Sequence, residues 1–497
     1  MNHTTLALLG SCVMASFVTA GALGAPAIIA PAKVETVAPA PNQKTLNQLC
    51  DTAMKSDWAY QRLEELSDGI GPRLSGSPQN AAAVAQVADA MRALGARVQL
   101  QPVKVPHWVR GEERAELSDY PGRPAGITQA IHLTALGSSG ATPAAGSTAR
   151  VIVVHTMEEL QSRAAEVRGN FVLFEVRFDQ RLAENGGADT AYAQAGAFRF
   201  KGPAAAAKLG AVAALVRSIG GADFRLPHTG VTVWDDGQTP IAAAALSTED
   251  ADLIARLAAK GPVTMKLVLT PKTLPDADGA NVIADWPGTE DPDQYVVVSG
   301  HLDSWDLATG ATDDGVGMMA AAGVIEVLRE LNVHARRTIR FIAWANEENG
   351  GRGSQGYFDA LKKQAQAIGA GTGSQVGAIE SDTGGGRSLG VVAGVEASSA
   401  AAFKPVAVAL APIGATAFER QDGELGADIA PLQQAGVAGF APMVDARHYF
   451  DYHHTAADTF DKIDPENLKS QVATMAVLSF FLADALDVIP GVKQAGE

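Results

Sequence analysis

The stretch "VVVSGHLDSWDLATGATDDG", residues 296–315, leaves an apolar run and enters a loop carrying His301 and four carboxylates, Asp303, Asp306, Asp313 and Asp314. Carboxylates crowded together raise one another's pKa values, so such a loop requires a counter-charge. The pattern recurs downstream. "FIAWAN" is followed by Glu347 and Glu348, "GAIES" by Asp382, and "FAPMV" by His448, His453 and His454. Helical spacing fills the intervals, as in "GVGMMAAAGVIEVLRELN" and "LKSQVATMAVLSFFLADAL". Alternation of helices with wholly apolar strands predicts an α/β fold, a mostly parallel sheet with helices on both faces. Ligands of such sheets bind beyond the carboxyl ends of the strands, where all these residues fall.

The rest of the chain bounds this reading. Its 497 residues, 47% hydrophobic, suffice for two or three globular domains. A formal net charge of −16 argues against a nucleic-acid partner. Residues 1–25 are uncharged apart from His3, apolar in the middle, and end on Ala22, Gly24 and Ala25. They predict an export signal, and hence a periplasmic or secreted protein, with residues 26–43 a Pro- and Ala-rich linker. No later segment supplies the ~20 apolar residues of a membrane span, so no stable membrane insertion is expected. Loss of the signal would remove Cys12 and leave Cys50 alone, which excludes a disulfide framework and a thiolate metal site. The fold is expected in three parts: 44–114, a β-rich insertion over 115–275 without a ligand cluster, and 276–490 with the site.

Carboxylate oxygen combined with imidazole nitrogen suits a catalytic zinc site, with Mn or Co as substitutes. Two ions about 3.5–4 Å apart need a bridging carboxylate, and the chemistry they support is hydrolysis. A competing signal is "GRGSQG", Gly351–Gly356, a G-x-G-x-x-G of dinucleotide type. Glu347 and Glu348 just before it would repel a pyrophosphate, which counts against that function. The chain has no H-E-x-x-H, G-x-S-x-G or Walker loop.

Taken together, "IGPRLSGSP", "SGHLDSWDLATGATDDGVG", "WANEENGGRGSQGY", "AIESDTGG", "GADIAPLQQAGV" and "HYFDYHHTAADT" make the sequence resemble the dizinc exopeptidases. These are the zinc aminopeptidase and glutamate carboxypeptidase II type, and the nearest branch is that of carboxypeptidase Q. The resemblance spans about residues 45–490. It implies two zinc ions per chain: His301 and Asp382 on one, Glu348 and His454 on the other, Asp313 bridging both. It makes Glu347 the general base and sets Asp303 against the second ring nitrogen of His301. His454 rather than His453 is chosen because it lies four positions before Asp458, as in the family's H-x-x-x-[DE]-T ending. The insertion would be a protease-associated domain within the peptidase domain. The resemblance also implies short peptide or dipeptide substrates and is compatible with a homodimer.

Exopeptidase direction stays open in the sequence. An acid would hold a substrate ammonium, whereas Arg or Lys would hold a carboxylate. Trp305, Asp428, Arg447, Tyr449 and His453 are the candidate substrate contacts. Two other classes compete: a receptor-like protein of this fold without metals, whose ligands would be substituted, and a glutaminyl cyclase-like acyltransferase, which would bind a single zinc.

Overall fold

Two eight-stranded sheets organise the chain. The structure is a computed structural model that describes residues 42–221, 224–368 and 374–492, all within one unit, Ala38–Glu497. The export signal and nearly all of the linker lie outside the described residues.

The first sheet runs in the order Arg97–Val109, Lys272–Trp286, Arg337–Trp344, Asp291–His301, Gln375–Glu380, Gly439–Val444, Ser388–Gly394, Ala417–Arg420. Its four middle strands are mutually parallel. The sheet is mixed, with four of its seven pairings parallel and three, at the flanks, antiparallel. Two of the antiparallel pairings belong to Lys272–Trp286, which enters from the second sheet with no helical crossover of the kind that sets parallel neighbours before it.

Within the middle strands successive side chains alternate between faces. Val296, Val298, Ile339 and Phe341 enter one apolar cluster, while Val297, Ile342 and Trp344 enter the opposite one. Helices Val316–Leu331 and Pro465–Asp484 are buried over most of their circumference and pack on the first face with Gln43–Ala53. Arg352–Ile368 and Ala430–Gln434 cover the second. Pro465 opens its helix at a position needing no backbone donor, and Asp464 caps it by accepting from Glu466 N at 2.8 Å.

The second sheet is drawn from Glu113–Leu269 and mixes three parallel with four antiparallel pairings. A long antiparallel ribbon, Arg97–Val109 against Lys272–Trp286, joins it to the first. Trp305, from the loop after His301, inserts its ring into the second sheet's apolar cluster against Gly137. A Cβ at Gly137 would stand 2.1 Å from that ring, so only glycine permits the contact. Residues of the second sheet thereby reach the carboxyl edge of the first.

Candidate metal centre

The four parallel strands deliver their carboxyl ends side by side. Asp291–His301 ends on His301 itself. Arg337–Trp344 leads to Asn346, which takes φ +66 and turns Glu347 and Glu348 over the edge. Gln375–Glu380 is followed by Asp382, and Gly439–Val444 leads through the short helix Tyr449–Tyr452 to His453 and His454.

Among the described residues three donor clusters form: two share Asp313, and the third gathers His228, His453 and His454. His301 Nε2 lies 3.1 Å from Asp313 Oδ1 and 3.6 Å from Asp382 Oδ1. On the other side, His454 Nε2 lies 3.1 Å from Asp313 Oδ2 and 3.0 Å from Glu348 Oε2. Asp313 Oδ2 and Asp382 Oδ1 are buried and accept no hydrogen bond. Buried carboxylate oxygens without donors are costly, and converging imidazole nitrogens beside them make a donor set that a divalent ion fits.

The tautomers agree with that fit. His301 Nδ1 faces the backbone carbonyl of Asp303 at 2.9 Å, and His454 Nδ1 faces the carbonyl of Thr229 at 3.4 Å. A carbonyl can only accept, so each ring carries its proton on Nδ1 and presents a lone pair on Nε2. This corrects the role expected of the Asp303 side chain. Its Oδ1 stands 4.0 Å from His301 Nδ1 and instead accepts from Glu347 N at 3.0 Å, while Oδ2 accepts from Ser75 Oγ at 2.9 Å. The chain turns so sharply after His301 that the Asp303 carbonyl reaches the ring first.

Charge in the site is unbalanced. Burial raises the carboxyls of Asp314, Glu347, Glu348, Glu380, Asp382 and Asp428, and neighbouring carboxylates raise them further. Glu348 and Asp428 are each pushed up to about 7. Against burial, Asp313 is held well below the usual range by His453, His301 and His454.

Other predicted residues separate clearly. Asp314 bonds backbone, accepting from His301 N at 3.0 Å and Gly317 N at 3.1 Å. Trp305 lines the small cavity at Asp313, Glu348 and His454, and its backbone N–H donates to Glu348 Oε1 at 3.2 Å. Tyr449 is buried with its ring 4.8 Å from that of His453. Both carboxylate oxygens of Asp428 are buried, and the Ser354 hydroxyl works against the burial that raises its carboxyl. Arg447 lies exposed and paired at 2.5 Å with Asp445, two residues away. In "GRGSQG" Gly353 serves packing, since a Cβ there would stand 2.3 Å from Asn281 Oδ1 and 2.4 Å from Ala345 O.

Several contributors have roles that the sequence analysis did not assign. Arg73, fully buried, donates to the carbonyls of Leu302 and Gly310, each at 2.9 Å, and to that of Thr309. Asp458 accepts from Thr312 N at 2.6 Å and Asp313 N at 3.1 Å, fixing the backbone that presents Asp313. His228 and Thr229 come from the second sheet's side, and Thr229 N donates at 2.9 Å to the carbonyl of His454, whose φ is +58. A non-glycine residue in that region needs such bracing.

Residues 281–479 match the model of Peptidase family M28. Carboxypeptidase Q of Homo sapiens is 35% identical over 437 residues, covering 87% of this chain and 86% of that protein. Carboxypeptidase Q of Xenopus laevis is 34% identical over 434 residues, 87% of each. Among solved structures, a peptidase M28 precursor from Shewanella amazonensis SB2B has a TM-score of 0.83 at 32% identity, over 91% of this chain and 99% of that one. A zinc aminopeptidase from Bacillus subtilis shares the fold, with a TM-score of 0.59 at 21% identity over 86% of this chain and 98% of that one. With similarity running through the whole described fold, and carboxylates and imidazoles gathered at one sheet edge, the chain belongs to peptidase family M28 and is a metallo-exopeptidase.

Proposed function

We propose that the protein is an exported exopeptidase that uses two zinc ions to hydrolyse dipeptides and other short peptides from a free amino end. The observation that carries this reading is the division of the donors into two sets around one carboxylate, Asp313, with one of its oxygens facing each. His301 and Asp382 would hold one ion, Glu348 and His454 the other. Zinc bound there would polarise the scissile carbonyl and acidify a water molecule. Glu347 would accept the proton of the attacking water and return it to the leaving amine, a task suited to a carboxyl raised by burial and by its acidic neighbours. A cyclase with one zinc would leave half of these donors unused, and a binding protein without metal would leave Asp313 and Asp382 without partners. The 113–269 segment fits a protease-associated domain, which would wall the site on the side of Trp305 and Thr229.

Asp428 favours the amino end. Its two oxygens are buried, with the Ser354 hydroxyl the side-chain donor that bears on them, and its charge bears on Glu347 and His301. A substrate ammonium would supply further donors. The surface arginines of this region, Arg420 and Arg447, are already paired with Asp422 and Asp445. The test compares an unblocked dipeptide with its N-acetylated and C-amidated forms on zinc-loaded enzyme. Cleavage of the unblocked and amidated forms, but not the acetylated one, is expected. Cleavage that survives acetylation and is lost on amidation would contradict the role of Asp428, and no cleavage of any form would contradict the short-peptide reading.

A further inference from the structure

His453 and His454 are adjacent, their rings stack at 3.6 Å between centroids, and both Nε2 atoms approach Asp313 Oδ2, at 3.2 and 3.1 Å. Distance to the bridging carboxylate therefore does not distinguish ligand from bystander. The second sheet's segment does. His228 Nε2 lies 3.1 Å from His453 Nδ1, while the next residue, Thr229, presents its carbonyl to His454 Nδ1.

We infer that His228 is a positioning residue that makes His453 present an Nε2–H, rather than a lone pair, toward the metal centre and leaves His454 as the ligand of the pair, an assignment resting on the dizinc reading above. Between His228 Nε2 and His453 Nδ1 there is room for one proton. If His228 supplies it, His453 Nδ1 accepts, its own proton sits on Nε2, and that N–H faces Asp313 Oδ2. If His453 supplies it, a bare Nε2 lone pair faces a carboxylate, and His228 must carry its proton on Nδ1. That Nδ1 is buried with no partner. A buried N–H left unpaired is rarer and costlier than an unpaired lone pair. That cost selects the first arrangement.

The rest of the loop is built to hold it. His228 N donates to Ser218 Oγ at 2.9 Å, Thr229 Oγ1 donates to the Ala135 carbonyl at 2.8 Å, and Thr229 N braces His454. The rings of Tyr192 and Phe450 pack against His453 from the other side, at 5.0 and 5.2 Å. One dipeptide of the inserted segment, His228-Thr229, thus gives two neighbouring histidines opposite tautomers.

The test exploits amide geometry: Gln places its nitrogen near the position of His Nε2, whereas Asn reaches only that of Nδ1. His228→Gln is expected to keep kcat within about threefold of the parent, and His228→Asn to lose about tenfold or more, with KM changed less than about twofold and zinc content unchanged. A role in folding alone would make both variants fall alike, and equal losses, or no loss in either, would overturn the inference. A second measurement needs no variant. In zinc-loaded protein with 15N-histidine, long-range 1H–15N correlations should show His453 protonated on Nε2 and His301 and His454 on Nδ1; His453 protonated on Nδ1 would overturn it. A parent enzyme that cleaves no dipeptide would sink the proposed function while leaving this tautomer measurement to decide the assignment.

Discussion

The backbone N–H of Glu347 donates to Asp303 Oδ1 at 3.0 Å, tying the loop after one central strand to the loop after its neighbour. Ser75 holds the other oxygen of the same carboxylate. Asp303 thereby sets where the Glu347 carboxylate stands. Asp303→Asn puts an amide where two donors converge, so kcat should fall about 10–100-fold with Glu347 itself intact. A variant within twofold of the parent in steady-state assays would show that this anchor does not matter.

Glu347→Gln keeps the shape and removes the base. Hydrolysis should drop by about 100–10,000-fold, while zinc content by atomic emission and the melting temperature stay at parental values. Loss of metal along with activity would move Glu347 from base to ligand.

Arg73 links three carbonyls of the 302–310 loop, and its buried charge interacts with Asp303, Asp313, Asp314 and Asp458. Arg73→Met leaves those acceptors and charges uncompensated and should cost about 3–5 kcal/mol in denaturant unfolding. It should also weaken zinc retention. A stability loss under about 1 kcal/mol would contradict the account of the loop.

The metal-free protein should lose stability as pH rises. Burial pushes Asp458 from 3.8 to about 6, and Glu348 and Asp428 to about 7. A folded pKa above the unfolded one means the native state binds the proton more tightly. That stabilisation is complete below about pH 4 and disappears as pH climbs through 6 to 7, worth about 3 kcal/mol for Asp458 alone. Thermal melting of chelator-treated protein from pH 5 to 8 should show the decline, and added zinc should reverse it by binding the deprotonated ligands. A melting temperature that rises with pH without metal would contradict the sign.

Much of the site was legible because its donors sit directly after apolar runs. His301, Glu347, Glu348 and Asp382 each follow a strand whose ending the sequence marks, and strand neighbours place them together. The central parallel strands were legible for the same reason, whereas the antiparallel flank at Lys272–Trp286 depends on the route through the second sheet. The roles of Arg73 and His228 were missed because each reaches across 225 residues or more, and Asp458, legible as the acid that ends the last motif, was not seen to hold backbone 145 and 146 residues away. The Asp303 side chain was assigned to the wrong partner because which oxygen of a residue meets a ring depends on turn geometry, not residue type.

The central claim is that Asp313 joins two metal positions. Zinc content after loading and exhaustive dialysis tests it most directly, measured on the parent and on Asp313→Asn. The account predicts two zinc ions per parent chain and fewer than one per variant chain, because each position loses its shared ligand. One zinc per parent chain, or two retained by the variant, would contradict it.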